Sequence, residues 1–212
     1  MISDADLAQL CAATYADPPT LPVPMAGTDA RITVMGDVQV VAFRGSVTAG
    51  DWARDFICLP VLEKDHPQLG LCHVGFLDGA NGIMPALQSA LADKPVIITG
   101  HSLGGALALG VGALLACMGK PPLAIVTFGS PRFGGGKFVD ALASIDVRQY
   151  RRGNDPVPML PFDVPPLFTF LDVHFLIAVG QAQRDPFACH SILGYCADVA
   201  AYLKLKATLT AA

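Results

Sequence analysis

The chain has 212 residues, of which 52% are hydrophobic and 15% charged, with a formal net charge of -4. That length suits one large domain with a sizeable core, and the composition excludes a disordered chain. The acidic balance excludes electrostatic recruitment to nucleic acid and leaves no polybasic membrane anchor. Mean hydropathy is +0.48, so the apolar excess must lie in a large core, on a surface patch, or in both.

Residues 4–15 read as a helix with Leu7, Leu10 and Cys11 on one face. Before them, no basic stretch leads into an apolar run, and Asp4 and Asp6 interrupt the start. That is no secretory signal, so the plain expectation is a cytoplasmic protein, with a removed leader or another export route as the alternative. The proline-rich stretch 17–24 is loop. Residues 31–35 and 38–43 are β-rich runs joined by Gly36-Asp37, a hairpin turn. Residues 75–92 form a helix. Residues 96–99 are β-branched without polar alternation, as in a strand covered on both faces. Residues 103–118 form a helix that is apolar nearly all round and therefore buried.

Between Lys94 and Lys120 no residue is formally charged, but Pro95, the Gly100-His101-Ser102 turn and Gly104-Gly105 break the run. A buried strand followed by a buried helix explains it better than a transmembrane span. Residues 123–128 are a further buried strand, 134–142 a helix and 147–150 a strand. Residues 168–179 hold one or two more strands. The last helix runs over 190–205, with Ile192, Leu193, Cys196, Val199 and Leu203 inward. Strands alternate with helices after about residue 70, which predicts an α/β fold with a mainly parallel sheet over a single domain, 1–212. The six cysteines show no C-x-x-C spacing, and their apolar settings predict free, buried thiols.

Gly100-His101-Ser102-Leu103-Gly104 fits G-x-S-x-G where a strand meets a helix. A nucleophile at the tip of a tight turn needs neighbours without bulk two residues away, and Gly100 and Gly104 meet that need. The following helix turns its first amides toward the site, where they favour negative charge. Ser102 then needs a base, and the base an orienting carboxylate. Chain order in the α/β-hydrolase fold is serine, acid, histidine, which leaves His174 and His190 as bases. His174 sits in an apolar run and reads as a core or strand histidine. His190 follows a loop that can reach across, and is preferred. Asp155, in Gly153-Asn154-Asp155-Pro156, follows a strand at its carboxyl end and is the preferred acid over Asp163, Asp172, Asp140 and Asp146. The amide of Leu103 and that of Ser46, after the strand 38–43, are the candidate oxyanion donors.

These residues resemble the class 3 (fungal-type) lipase family. The resemblance rests on Val41-Ala42-Phe43-Arg44-Gly45-Ser46, Asp51-Trp52 with Asp55, His73-Val74-Gly75-Phe76 and Gly100-His101-Ser102-Leu103-Gly104-Gly105-Ala106. It continues through Val126-Thr127-Phe128-Gly129-Ser130-Pro131-Arg132, Asn154-Asp155-Pro156-Val157-Pro158, and His190 with Tyr195. It implies an α/β-hydrolase fold with Ser102, Asp155 and His190 as triad and Ser46 with Leu103 as oxyanion hole. It makes Gly129-Ser130-Pro131 a structural strand end and His174 a structural strand position. Residues 47–56 stand where the family's lid lies, and their shortness implies a small or rigid one.

The expected activity is hydrolysis of carboxylic esters of lipids or short-to-medium acyl chains, with no metal or organic cofactor. The partners are then a small acyl ester or a transient lipid surface, with the oligomeric state left open. Feruloyl, phospholipid or thioester substrates would use the same machinery, and a non-catalytic lipid-binding protein is the third reading. The proline-rich run 156–170 begins at Asp155 and reads equally as an acyl-pocket wall and as a loop packed on the core by its own side chains.

Overall fold

The computed structural model describes residues 2–16, 21–22, 29–46, 60–163 and 168–210. The proposed lid at 47–56 lies outside them, as do Cys58 and residues 164–167 of the proline-rich run.

Helix α1 (Asp4–Ala16) precedes the short strand β1 (Leu21–Pro22) and the hairpin of β2 (Asp29–Met35) and β3 (Val38–Phe43). Met35 pairs with Val38 across the Gly36-Asp37 turn, as the sequence predicts. Strands β4 (Pro60–Leu62) and β5 (Leu71–His73) form a separate two-stranded sheet. The alternating part follows: α2 (Val74–Ala90), β6 (Val96–His101), α3 (Leu103–Cys117), β7 (Ala124–Phe128), α4 (Gly136–Leu142) and β8 (Asp146–Arg152). Strand β9 (Ile177–Val179) and helix α5 (Ile192–Thr210) close the chain.

The seven-stranded sheet has the order β1-β2-β3-β6-β7-β8-β9. Its first two pairings are antiparallel and the other four parallel. Neighbouring residues on a strand point to opposite faces, so one strand feeds two cores. Val41 and Ile125 enter the larger core with α2, α3 and α4. Val40 and Val126 enter the other with α1 and α5. Helix α3 is packed by α2, α4 and the sheet, which explains why its sequence has no polar face.

At its first turn α1 is tied to the sheet by Asp4. Its carboxylate accepts from Arg148 Nε and Tyr150 Oη at 2.9 and 2.7 Å. At its last turn Tyr15 reaches the carboxyl end of β6.

Three expectations need correction. Leu193 is 70% exposed, and Tyr195 takes the inward place with Cys196 and Val199. In a helix each residue turns about 100°, and Leu193 lies that far past the stripe that Ile192, Cys196 and Val199 define. His174 is an exposed bend residue, neither core nor strand. The run 168–179 holds one regular strand, Ile177–Val179, within the expected one or two, beside isolated bridges such as that between Leu171 and Gly134. Its apolar residues do not all find a core, and Phe175 is 98% exposed. Finally, α4 starts at Gly136, because Gly134 is taken by bridges to Cys72 and Leu171.

Of the six cysteines, the five described are free thiols; four are buried and Cys117 is half-buried. Burial pushes the Cys11 and Cys72 thiols up to about 12, which makes them inert packing groups. In the proline-rich run Val157, Pro158, Leu160 and Phe170 are buried, which favours the loop packed by its own side chains.

Candidate active site

Strand β6 ends at His101, α3 begins at Leu103, and Ser102 forms the turn between them. Its φ is 60° and ψ -132°, and it is the one non-glycine with positive φ among the described residues. Such strain persists where its surroundings over-determine it, and it marks functional positions. The Ser102 amide donates to Phe128 O at 3.0 Å, which fastens the turn to β7. A Cβ at Gly100 would lie 2.1 Å from Gly104 O, and one at Gly104 would lie 2.3 Å from Phe43 O. Only glycines let strand, turn and helix approach this closely, as the motif requires.

His190 ends a 3-10 turn, Pro186–His190, just before α5. Its Nε2 lies 2.8 Å from Ser102 Oγ and its Nδ1 2.8 Å from Asp155 Oδ2. Asp155 lies just beyond β8 and is fully buried. With Nδ1–H donating to the carboxylate, Nε2 is left to accept the serine proton. The exposed His174 has no part in this arrangement.

The Asp155 carboxylate is held by further donors. Tyr195 Oη donates to Oδ2 at 2.7 Å, and the Val157 amide donates to Oδ1 at 3.0 Å. Burial and the neighbouring Asp155 charge push the Tyr195 phenol well up, so it remains a donor. The Arg152 amide donates in turn to Tyr195 Oη at 3.0 Å. Behind the triad, a Cβ at Gly129 would lie 2.8 Å from Asp155 Oδ2 and 3.0 Å from His190 Nδ1, and its φ is +60°.

Leu103 opens α3, where the first amides have no partner within the helix. Ser46 lines a cleft of about 590 Å³ together with His101 and His190, so the loop after β3 does reach the site. Tyr15, Phe187 and Leu193 line the same cleft. Of the five residues expected from the sequence, Ser102, His190 and Asp155 are joined by hydrogen bonds, Ser46 lines the cleft beside His190, and Leu103 follows Ser102 at the start of α3.

Tyr195 and Tyr15 are two parts of the site whose roles carry no separate signal. Tyr195 appears in the sequence only as the residue that closes a motif, and Tyr15 only as the end of a helix. His101 is set aside as a base by chain order alone. The structure makes it a buried neutral group, held well below the usual histidine range by burial and then by the nearby His190.

A doubly wrapped, mainly parallel sheet with a serine at a strand-to-helix turn, an acid after a later strand and a histidine beyond it defines an α/β-hydrolase. The model of the family described as Lipase (class 3) matches residues 40–164. This chain belongs to that family. The matched segment contains Ser46, Ser102, Leu103 and Asp155 but ends before His190, whose placement rests on the geometry above.

A secreted mono- and diacylglycerol lipase 1 of Fusarium solani is 35% identical over 133 residues, 58% of this chain and 39% of that protein. A Rhizomucor miehei lipase is 33% identical over 145 residues, 62% of this chain and 39% of its own length. The chain thus spans about two fifths of the curated relatives it matches. Among solved structures, the native propeptide complex of the Rhizomucor miehei lipase superposes with a TM-score of 0.63 at 26% identity, over 86% of this chain and 66% of that one. A triacylglycerol lipase whose catalytic centre is described as a serine protease triad gives 0.59 at 29% identity, over 72% and 61%.

Proposed function

We propose that this protein is a serine carboxylic ester hydrolase acting on lipid or short-to-medium acyl esters. One observation carries the reading: Ser102 Oγ, His190 Nε2 with Nδ1, and Asp155 Oδ2 stand in line at 2.8 and 2.8 Å, on a strained turn ahead of a helix.

His190 takes the hydroxyl proton as Ser102 Oγ attacks the ester carbonyl. The Leu103 and Ser46 amides stabilise the oxyanion that forms. His190 then gives the proton to the leaving alcohol, and water releases the acid from the acyl-enzyme by the same steps. Asp155 orients the imidazole and stabilises its charged form without taking the proton.

An acyl or glyceride substrate is supported by the apolar residues in the cleft and by relatives named mono- and diacylglycerol lipases. Phe187 and Leu193, 50% and 70% exposed at the cleft, support transient contact with a lipid surface. Among the described residues no helix is long and apolar enough to cross a membrane. The single-domain reading is supported by the two cores' common sheet. The free thiols support work in a reducing compartment, and recovery of active protein from culture medium would count against it.

The test is hydrolysis of p-nitrophenyl esters of increasing chain length by wild type, Ser102→Ala and His190→Ala. Both variants should lose at least about a thousandfold in rate. An inert wild type would overturn the ester-hydrolase reading, and full activity in His190→Ala would remove the base assigned here.

A further inference from the structure

A chain of hydrogen bonds runs behind the triad without using any of its catalytic atoms. His101 Nε2 lies 2.8 Å from the backbone carbonyl of His190. A carbonyl only accepts, so Nε2 carries the proton and Nδ1 of the neutral ring is an acceptor. Tyr15 Oη lies 2.7 Å from that Nδ1 and must be its donor. The Gly45 amide donates to the same Tyr15 oxygen at 3.2 Å. The sequence of donors is therefore fixed: Gly45 N–H to Tyr15, Tyr15 O–H to His101, His101 Nε2–H to the His190 carbonyl.

The ends of this chain matter. Gly45 immediately precedes Ser46, the proposed oxyanion donor. His101 immediately precedes the nucleophile, and His190 is the base. The chain thus links the backbones of all three parts of the site through two side chains. Packing gives it little room to shift. His101 is 5% exposed, with ring centroids 4.8 Å from His190, 5.8 Å from Tyr15 and 5.9 Å from Tyr195. A Cβ at Gly45 would lie 2.7 Å from His101 O, 2.8 Å from Ser102 Cβ and 2.9 Å from Tyr15 Oη.

We infer that Tyr15 and His101 are positioning residues that hold the Ser46 amide and the His190 imidazole in register with Ser102 Oγ. The inference rests on the ester-hydrolase reading above. Neither residue exchanges a proton with the substrate. Their contribution is orientation, to which rates are sensitive at displacements of about 1 Å.

Tyr15→Phe removes one hydroxyl and keeps the ring. Its kcat, counted per active site titrated with a fluorophosphonate, should fall roughly tenfold while KM stays within about twofold. A merely structural role would lower the number of titratable sites and leave kcat per site unchanged; that result overturns the inference. Nitrogen-15 spectra of labelled histidines give a readout independent of turnover. His101 should be the Nε2–H tautomer, and the Nδ1 signal should move in Tyr15→Phe; an Nδ1–H tautomer in the wild type also overturns it. An active wild type with unaltered Tyr15→Phe kinetics rejects the positioning role alone. An inert wild type rejects the ester-hydrolase reading and this role with it.

Discussion

Helix α1 carries a hydrogen-bonded polar side chain near each end, Asp4 buried and Tyr15 half-buried, and the two ties do different things. Asp4 binds Arg148 and Tyr150 in the body of β8. Tyr15 binds His101 at the carboxyl end of β6, where the strand gives way to the Ser102 turn. Both tie the same helix to the same sheet. The Asp4 tie is an ion pair in the regular part of the sheet, where it can only hold the fold. The Tyr15 tie is a neutral chain at the sheet edge where parallel strands collect their chemistry. Position relative to the strand ends, more than the strength of the bonds, separates a brace from an aiming device. Stability and turnover should therefore respond to different substitutions.

The largest effect belongs to the triad. Asp155→Asn should lower kcat by about ten-thousandfold, because the imidazole is then held in the wrong tautomer. Steady-state kinetics beside a thermal melt check it, and the melt should move far less than the rate. If the melt collapses with the rate, Asp155 is a brace as well.

Buried histidines give the next effect, this time on stability. Burial holds His73 down at about 4, and His101 also lies well below the ordinary value. The unfolded chain takes up these protons first, near pH 6.5, so the stability is present above that pH and is lost as pH falls. For His73 the loss runs from about 6.5 down to about 4. Each histidine contributes a slope of up to about 1.4 kcal/mol per pH unit. His73 Nδ1 also accepts from the Phe76 amide at the start of α2, a bond that protonation removes. His73→Asn can keep that cap without the titration, and urea unfolding across pH should show a shallower slope for it.

Asp4→Ala should cost about 2 to 3 kcal/mol, because it strands the Tyr150 hydroxyl and removes one of Arg148's two carboxylates. Denaturant melts measure the loss. The kcat per folded molecule should not change, and a fall in it would erase the distinction between the two ends of α1. The smallest effect is that of Tyr195→Phe, which leaves Asp155 one donor short and should lower kcat about tenfold.

Much of this was legible in the sequence because it is local. The Ser102 turn, the alternation of strand and helix, and the hairpin at Gly36-Asp37 each depend on residues within a few positions of one another. Chain order narrowed the base to His174 and His190, and the loop before His190, against the apolar run around His174, decided between them. The supporting tyrosines depend on contacts across the fold. Tyr15 and His101 are 86 positions apart, and Tyr195 and Asp155 are 40 apart. No period or spacing announces such pairs. The run 168–179 holds the strand Ile177–Val179 as expected, but its apolar content overstates its burial, since Phe175 faces solvent. Near the start of α5 the error over Leu193 was one of phase, since a single residue's rotation moves a side chain off the buried stripe.

The central claim is that Ser102 is a nucleophile activated by His190. It is tested most directly by treating the protein with a fluorophosphonate and locating the adduct by peptide mass spectrometry. The account predicts one adduct, on Ser102, absent from Ser102→Ala and formed at least about a thousandfold more slowly in His190→Ala. An adduct on another serine, or none on a protein that hydrolyses esters, would contradict it.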